Sequence, residues 1–386
     1  MFNLSKNILE EKGAIITVEE IRQQPELWKE TLEIYKNNKA DLEEFIDKVS
    51  KGTEKVRVIF TGAGTSAYVG DVASKHLGLK KNRNLTFEAV PTTDIVSNPY
   101  LFFDKDTTTL LVSFARSGNS PESIQAVDLA NQLVDDIYHL AITCAEDGKL
   151  AKDLKNNDNA FVLLMPEKSN DKGFAMTGSF TCMLLTSILI FDNTLELEKK
   201  IKNIDLAINM GKNIIVRDEE IQKIVDLDFN RIVYLGSGVF NPLTREAQLK
   251  ILELTAGKIT TCFDSSMGFR HGPKSFVNEK TLVFDFVSTN EYTRKYDIDI
   301  LNEIYENNIA AKTVAITKNS LNQRFSEFSF NETEELEDVY LVFPYIMVAQ
   351  IIAVMASLKV QNKPDTPSAT GTVNRVVKGV VIHPYK

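Results

Sequence analysis

The sequence of 386 residues has few of the side chains that bind metals or form disulfides. It contains three cysteines and four histidines, which are dispersed and match no C-x-x-C, zinc or non-haem iron spacing. An odd number of scattered cysteines is typical of reduced thiols rather than of a disulfide framework. We therefore expect no disulfide, no bound metal ion and no other cofactor.

Basic residues are also too few to suggest a nucleic-acid partner. Lys and Arg total 44 against 53 Asp and Glu, and the net charge is -9, which argues against binding to nucleic acid or to an anionic membrane. Residues 1–16 lack the basic, apolar and small-residue regions of a signal peptide, so we expect a cytoplasmic protein. The most apolar stretch, 339–358, is interrupted by Pro344 and polar residues, and it is predicted to be a buried core helix.

The remaining pattern alternates short apolar runs with longer helix-like segments. Residues 17–38 are predicted to form a helix that opens with the capping-box pattern Thr17-x-x-Glu20. The apolar runs that follow have no two-residue alternation, which is typical of parallel strands buried on both faces. They are residues 56–60, 87–90, 110–114, 138–143 and 161–165. We predict a doubly wound α/β sheet.

An internal repeat indicates that this sheet occurs twice. Residues 57–64 align with 231–238, and at the same offset 140–143 falls on 314–317. We therefore predict two tandem doubly wound parallel-sheet domains of three αβα layers. The predicted divisions are an N-terminal helical segment, a first domain with a phosphate site, a second domain with acid and base residues, and a C-terminal lid tail. Their limits are 1–50, 51–200, 201–365 and 366–386.

Two strand-to-helix loops of the first copy, 62–66 and 113–122, are rich in hydroxyl groups. Their hydroxyl-bearing residues include Thr65, Ser66, Ser117 and Ser120. Such loops lie at the carboxyl ends of parallel strands, where ligands bind. Ser120 before Pro121 predicts a helix N-cap, so helical amides would join the hydroxyls around a phosphate dianion. Arg116 would add a charged donor.

Taken singly, each loop could be an ordinary capped turn, but two loops on neighbouring strands favour a phosphate site. In the second copy, Val239 and Phe240 replace Thr65 and Ser66, which predicts one phosphate site per chain. Ala67 stands where G-x-G-x-x-G requires its third glycine, and the sequence contains no P-loop or nucleophile elbow. These absences exclude the usual dinucleotide, nucleoside triphosphate and serine hydrolase motifs.

Further segments carry motifs in an order known from one protein family. Residues 173–181, GFAMTGSFT, resemble G-V-A-S-T-K-A-F-T of glucosamine-6-phosphate synthase, and 249–253 and 270–273 resemble the motifs L-K-x-x-E and K-H-G-P. Residues 374–380 resemble R-N-L-A-K-S-V. Together with 20–28, EIRQQPELW, and the two hydroxyl loops, they resemble the sugar isomerase (SIS) domain family over nearly the whole chain. The resemblance is closest to its AgaS type, described as tagatose-6-phosphate ketose/aldose isomerase or galactosamine-6-phosphate deaminase.

The resemblance implies a set of substrate-binding residues. The sugar 6-phosphate would be held by Thr65, Ser66, Arg116, Ser117 and Ser120 and by the backbone amide at Ala115. The sugar near C2 would be lined by Phe174, Ala175 and Met176. The synthase pattern S-Q-S-G-E-T reads Ala115-Arg-Ser-Gly-Asn-Ser120 here, which removes one hydroxyl and adds a cation. Met176 also replaces a hydroxyl, so the contacts to the sugar are expected to differ from those of the synthase.

The resemblance also implies an acid and base pair on the second copy. Glu253 would move a proton between C1 and C2 of the sugar. Lys250 would orient Glu253 or stabilise a developing oxyanion, and its alternative role is an ion pair with Glu246. From the sequence alone, Glu253 could equally be a solvated helix residue.

Two further assignments concern ring opening and closure of the site. His271 would open the pyranose ring from a neighbouring subunit, so that the active enzyme would be a homodimer or tetramer. Its alternative is a residue in a simple turn. Lys378 would close over the substrate from the tail, and its alternative is a solvated surface charge.

The resemblance implies a small-molecule enzyme without nucleic-acid or membrane partners. We expect conversion of galactosamine 6-phosphate to tagatose 6-phosphate and ammonia, or interconversion of tagatose 6-phosphate with its aldose. The alternative is a non-catalytic sugar-phosphate sensor that regulates a protein partner, which would need only the loops of the first copy.

Overall fold

The computed structural model describes residues 1–80, 84–377 and 379–385. Helices alternate with strands along most of this length. The helices are α1 Lys6–Glu11, α2 Ile15–Ser50, α3 Thr65–Leu77, α4 Thr92–Ser97, α5 Pro99–Phe102, α6 Pro121–Leu133, α7 Lys149–Leu154, α8 Gly178–Phe191, α9 Leu197–Val216, α10 Asp218–Val225, α11 Phe240–Thr255, α12 Glu291–Glu306 and α13 Asp338–Lys359. Short 3₁₀ helices occupy Glu167–Ser169, Gly268–Arg270 and Pro273–Phe276.

The strands form two parallel five-stranded sheets. The first sheet contains β1 Val56–Thr61, β2 Leu85–Ala89, β3 Thr109–Ala115, β4 Ile137–Thr143 and β5 Ala160–Leu164. The second contains β6 Arg231–Gly236, β7 Thr260–Asp264, β8 Thr281–Phe286, β9 Lys312–Thr317 and β10 Ser326–Ser329. All five strands predicted in the first copy are present, with small shifts at their ends. The predicted α/β class with two doubly wound parallel sheets is confirmed.

The two sheets have the same strand order, as the internal repeat requires. The first sheet is ordered β2-β1-β3-β4-β5 and the second β10-β9-β8-β6-β7, which is the same sequence of equivalent strands in reverse listing. In each sheet the second strand is added on one side of the first and the later strands on the other side, so the strand order switches between β1 and β3, and between β6 and β8. Such a switch point is the place where doubly wound sheets bind ligands.

The described chain divides into two compact units, each built on one sheet. The β1–β5 unit comprises Glu26–Asp171, Met176–Ile201 and Val373–Lys386, and the β6–β10 unit comprises Met1–Pro25, Lys172–Ala175 and Lys202–Thr372. The short segment Lys172–Ala175 thus belongs to the β6–β10 unit, although the residues before and after it belong to the β1–β5 unit. The three cysteines are free.

Each unit has a core of buried strands and one very apolar helix. All residues of β3 and β8 are buried, and Phe60 and Phe114 stack in one core as Tyr234 and Phe284 do in the other. α13 is the one helix of the described residues that is long and apolar enough to cross a membrane, but 94% of its apolar window is buried inside the protein. The prediction of a core helix at 339–358 is therefore confirmed.

The predicted capping box at Thr17 and Glu20 was wrong. α2 starts at Ile15, so Thr17 lies within its first turn. The acceptor for this turn is Asp365, which binds the amides of Ile16 and Thr17 at 3.1 and 2.8 Å. Asp365 therefore acts as the N-cap of α2, although it is distant in the sequence. The carboxylate of Glu20 instead accepts from the amide of Gly173 at 3.1 Å.

Candidate active site

The two hydroxyl loops follow β1 and β3, on either side of the switch point of the β1–β5 unit. Thr61 ends β1 and pairs in register with Ser113 of β3. The first loop leads into α3, whose first residue is Thr65, and the second leads into α6 after Ser120. Two helix N-termini therefore begin beside one point of the sheet, which is a geometry suited to an anion.

The first loop depends on glycine for its tight turn. A Cβ atom on Gly62 would lie 2.6 Å from the backbone of Ser66, so no larger residue fits where α3 approaches the strand. Gly64 has a φ of 57°, which other residues rarely adopt. The equivalent Gly238 has a φ of 59°, but Phe240 begins the helix there. The turn is thus common to both sheets, whereas the hydroxyl groups are not.

The second loop is held by hydrogen bonds from the start of α7, which follows the neighbouring strand β4. Ser120 is the N-cap residue of α6 with Pro121 next, as predicted, and its side chain makes no capping hydrogen bond. The carbonyl of Gly118 accepts from the amide of Leu150 at 2.9 Å, and the side chain of Asn119 accepts from the amide of Lys149 at 2.9 Å. These bonds fix the loop while Ser117 and Ser120 remain half-buried. Ala115 is the last residue of β3.

Three buried hydroxyl groups surround the ends of β1 and β3 beneath these loops. Thr61, Ser113 and Thr92 are all buried, and their hydroxyl oxygens make no hydrogen bond within the described residues. The backbone amide of Thr92 donates to Gly62 at 2.8 Å, which places it at the same point. A buried hydroxyl without a partner calls for a water or a ligand. None of the three was among the predicted binding residues, because Thr61 and Ser113 lie at the ends of strands and Thr92 begins a short helix, and such positions look like ordinary core.

Arg116 is turned towards the C-terminal tail. Its side chain is buried, with 7% of the residue exposed, and Nη2 donates to the carbonyl oxygen of Arg375 at 2.8 Å. Arg375 in turn donates to the carbonyl of Asp171 from Nε at 2.8 Å and to the side chain of Asn170 from Nη2 at 2.8 Å. The tail is therefore tied both to the second loop and to the chain before the predicted sugar-binding residues.

The predicted sugar-binding residues 174–176 lie between residues that are held by the buried carboxylates of Glu20 and Asp171. In the β1–β5 unit, Ser66 donates to the sulfur of Met176 at 3.8 Å, so this residue does lie beside the first loop. In the β6–β10 unit, Phe174 and Ala175 follow Gly173, whose amide is held by Glu20. Ala175 is fully buried.

Asp171 fixes the start of α8 within the β1–β5 unit. Its carboxylate accepts from the amides of Thr177, Gly178 and Ser179 at 2.8, 3.1 and 3.0 Å. It also accepts from the hydroxyls of Thr177 and Ser179 at 2.9 and 2.5 Å. A buried carboxylate at a helix N-terminus satisfies free amides and interacts favourably with the helix dipole. The predictions missed this residue because it stands outside any local capping pattern.

In the β6–β10 unit, α11 carries a buried cluster of three charged side chains. The ammonium group of Lys250 lies 2.7 Å from Glu253 and 3.2 Å from Glu246. Lys250 therefore contacts both Glu246 and Glu253, and its role in orienting Glu253 stays a prediction. The side chains of Lys250 and Glu246 are almost fully buried, whereas 21% of the Glu253 side chain is exposed. Of the two carboxylates, only Glu253 can meet a ligand.

Lys250 stays cationic in this cluster despite its burial. Burial acts to lower the pKa of its ammonium group, but the charges of Glu246 and Glu253 outweigh this effect and raise the pKa. The result is a fixed positive charge beside Glu253. One cation between two carboxylates leaves negative charge on the cluster, as a proton acceptor requires.

His271 is exposed, and among the described residues it makes no hydrogen bond or ion pair with this cluster. It follows a short 3₁₀ helix, and its amide donates to Gly268 at 2.9 Å. Within the part of the chain that the structure describes, its imidazole makes no hydrogen bond and no ion pair. Lys378, the predicted tail lysine, lies outside the described residues.

The switch point of the second sheet holds carboxyl groups. Asp297 accepts from the hydroxyls of Ser237 and Ser266, both at 2.6 Å, and Ser266 also lies 3.2 Å from Asp285. Burial and the neighbouring charge of Asp297 raise the pKa of Asp285 well above its ordinary value, and burial raises the pKa of Asp297 as well. Paired acidic groups repel an anion, which supports the prediction of one phosphate site per chain.

Both the sequence and the structure are similar to those of known proteins. Residues 53–191 match the family model of the SIS domain. Over 373 residues, covering 96% of both chains, the sequence is 43% identical to the D-galactosamine-6-phosphate deaminase AgaS of Escherichia coli. The crystal structure of tagatose-6-phosphate ketose/aldose isomerase from Escherichia coli is similar with a TM-score of 0.87 and 41% identity, over 96% of each chain. A protein of Clostridium novyi NT, provisionally described as the same isomerase, is similar with a TM-score of 0.94 and 45% identity, over 100% of this chain and 99% of that one.

Proposed function

The chain belongs to the AgaS family of SIS-domain proteins, and on that premise we propose that it converts D-galactosamine 6-phosphate to tagatose 6-phosphate and ammonia. Identity of 43% over 96% of both chains supports the same reaction as that of the Escherichia coli deaminase. The observation that carries the chemistry is the Lys250–Glu253 pair at 2.7 Å, which presents a partly exposed carboxylate beside a buried cation.

In the proposed reaction Glu253 is the proton carrier. It takes the proton from C2 of the open-chain aldehyde form of the substrate, which gives an enolamine as O1 gains a proton. It then returns the proton to C1, which gives the ketimine at C2 as the nitrogen loses a proton. Water then adds to the ketimine carbon, and ammonia leaves as tagatose 6-phosphate forms. Lys250 holds the carboxylate in place and offsets negative charge that develops during transfer.

The phosphate group is the proposed ligand of the two hydroxyl loops. Thr65 and Ser66 lie in the first turn of α3, and Ser117 and Ser120 precede α6. Helix N-termini, backbone amides and hydroxyls together hold a dianion without needing a lysine cluster, which suits this acidic protein. The amide at Ala115 and the side chain of Arg116 complete the proposed set. Phe174, Ala175 and Met176 are the proposed contacts to the sugar.

We propose that the enzyme is a homodimer in which His271 acts on the substrate bound by the partner subunit. Exposure of His271 supports this assignment, because within the described residues its ring makes no hydrogen bond and no ion pair in its own chain. The elements around it also expose Leu252, Phe263 and Met267, at 37, 39 and 46%. Exposed apolar side chains of this kind are suited to an interface between subunits. Free cysteines fit the reducing cytoplasm that we propose as its location.

A plain isomerase is the second candidate, and it shares every residue of the first. The similarity to tagatose-6-phosphate ketose/aldose isomerase favours it. Both reactions transfer a proton between C1 and C2, and they differ only in whether C2 carries nitrogen or oxygen. The alternative of a non-catalytic sensor finds no support in the similarity to deaminases.

The test is release of ammonia from galactosamine 6-phosphate and, separately, from glucosamine 6-phosphate, alongside isomerisation of tagatose 6-phosphate. Each substrate is given to the wild-type enzyme, to Glu253→Gln and to Glu306→Gln, an exposed glutamate at the end of α12. We expect ammonia from the galacto substrate, a loss of roughly 10²-fold or more in Glu253→Gln, and no change in Glu306→Gln.

Other outcomes would redirect the assignment. Isomerisation without ammonia release would replace the deaminase by the isomerase. Binding of both amino-sugar phosphates without any turnover would contradict an enzyme of either kind. Equal turnover by Glu253→Gln and the wild type would remove Glu253 from the reaction.

A further inference from the structure

The C-terminal tail is held to its unit by polar contacts in addition to partial burial of some apolar side chains, such as Val376. Val373, Val377 and Val381 are exposed, so their side chains add little to its attachment. The half-buried Arg375 supplies the contacts instead, through Nε and Nη2 to the carbonyl of Asp171 and through Nη2 to Asn170. A guanidinium group can serve several acceptors in one plane, which a lysine cannot do.

The acceptors of Arg375 belong to a rigid part of the β1–β5 unit. The carboxylate of Asp171 is buried and accepts bonds from the first turn of α8, so its carbonyl oxygen has a fixed position. Asn170 ends the turn that follows the short 3₁₀ helix Glu167–Ser169. A tail bound at these residues is therefore bound to the beginning of the segment that leads to the proposed sugar contacts at 174–176.

A second guanidinium group ties the same tail residue to the phosphate loop. Arg116 donates to the carbonyl oxygen of Arg375 at 2.8 Å, from a buried position directly after β3. The pattern of glucosamine-6-phosphate synthase has glutamine at this position, which is shorter and uncharged. The departure to arginine thus coincides with a contact to the tail.

We propose that Arg375 is a positioning residue for turnover: it holds the tail closed against Asn170 and Asp171, and Arg116 couples that closure to the phosphate loop. We call Arg375 with its two acceptors the tail latch. The proposal rests on the proposed function, because a tail held in place matters for catalysis only if the chain turns over a sugar phosphate. Opening the latch lowers the fraction of enzyme with a closed tail, and turnover falls with that fraction.

The test compares Arg375→Ala, Arg375→Lys and Arg116→Gln with a control, His383→Gln, whose exposed tail side chain makes no hydrogen bond within the described residues. Cleavage by proteinase K after residue 372 is followed by mass spectrometry without substrate. In parallel, kcat and KM for ammonia release and the Kd for inorganic phosphate are measured. Cleavage reports the population of the open tail when opening is fast relative to cutting.

We expect cleavage of Arg375→Ala to be roughly tenfold faster than in the wild type. Its kcat should fall by a similar factor while the Kd for inorganic phosphate stays unchanged, because the hydroxyl loops are intact. Arg375→Lys should lie between, and His383→Gln should match the wild type. The carbonyl oxygen of residue 375 remains in Arg375→Ala and still accepts from Arg116, so adding Arg116→Gln should open the tail further than Arg375→Ala alone.

Cleavage of Arg375→Ala at the wild-type rate would overturn the latch, and so would a wild-type kcat in a variant whose tail is cut faster. An altered Kd for inorganic phosphate together with general loss of stability would show a structural role only and would also overturn it. The cleavage measurement uses no substrate, so it judges the latch even if the wild type releases no ammonia. That last result would contradict the proposed function by itself.

Discussion

The positive charge of Lys250 compensates the negative charges of two neighbouring carboxylates. Lys250 is buried beside Glu246, which is also buried, and beside Glu253, which is partly exposed. Charges removed from water need compensation from a partner close by. The same ammonium group therefore serves the stability of the fold through Glu246 and the proposed chemistry through Glu253.

Lys250→Met should destabilise the protein by about 3–5 kcal/mol, because it leaves two carboxylates without their cation. Adding Glu246→Gln to this variant should restore part of the loss, since one of the uncompensated charges is removed. Urea unfolding monitored by circular dichroism measures both. Lys280→Met, which breaks the exposed pair with Asp228 at 3.2 Å, serves as the control and should change stability by less than about 1 kcal/mol. A similar small effect for Lys250→Met would contradict the role given to the cluster.

At the scale of single elements, α8 shows how one residue organises the chain on both sides of it. The helix has no capping bond from the side chain of its own N-cap residue, Thr177. The carboxylate of Asp171 supplies the acceptors, and its backbone carbonyl receives Arg375. The start of the helix thus depends on the carboxylate of Asp171, whereas the tail uses only its backbone carbonyl.

Asp171→Ala should lower the free energy of unfolding by about 2–4 kcal/mol, because the cap is lost and several buried donors are left without an acceptor. Asp171→Asn should be milder, since one oxygen remains. Thermal and urea unfolding measure the difference, and Asp128→Ala on the exposed face of α6 provides the control, with a change within about 0.5 kcal/mol. Equal stability of Asp171→Ala and Asp128→Ala would show that the bonds to α8 contribute nothing.

At the scale of the whole molecule, two copies of one sheet have taken different chemical roles. Both keep the strand order and the tight glycine turn after the first strand of the repeat. Hydroxyl groups line the switch point of one copy, and Asp285 and Asp297 fill that of the other. The second arrangement makes stability depend on pH.

The raised pKa of Asp285 means that the folded protein keeps a proton that the unfolded chain releases. Its contribution to stability is therefore fully present below the ordinary pKa of aspartate, about 4, and is lost as the pH rises towards the raised value. Asp285→Asn cannot ionise, so its unfolding free energy should decline less between pH 5 and 8 than that of the wild type. Asp228→Asn, which changes an exposed aspartate, should follow the wild-type profile. Parallel profiles for Asp285→Asn and the wild type would contradict this account.

The proposed sharing of active sites between subunits predicts complementation. Glu253→Gln and His271→Asn should each be inactive alone. After mixing and reassociation in equal amounts, half of the dimers should be hybrids, and each hybrid should have one intact site, giving about a quarter of wild-type activity. Ammonia release after co-refolding or subunit exchange measures this. An absence of recovered activity in demonstrated hybrid dimers would show that His271 acts within its own chain.

The features predicted from the sequence are those that short stretches of chain determine. Apolar runs located the strands, the repeat gave two sheets, and Ser120-Pro121 gave the start of α6. Contacts between distant positions were missed, such as the bond from Arg375 to Asp171 across 204 residues. For the same reason the true cap of α2, Asp365, could not be recognised beside Thr17. The roles of Glu253, His271 and the phosphate-binding residues remain predictions.

The tail latch has a consequence for how it would appear in related sequences. Two of the three bonds donated by Arg375 end on a main-chain oxygen, and the bond from Arg116 also ends on one. Any amino acid supplies such an oxygen, so an exchange at the accepting position needs no compensating exchange at the donor. The two arginines should therefore leave little covariation with their partners in an alignment. Substitution of the two arginines themselves, rather than residue statistics, is the appropriate way to detect these contacts.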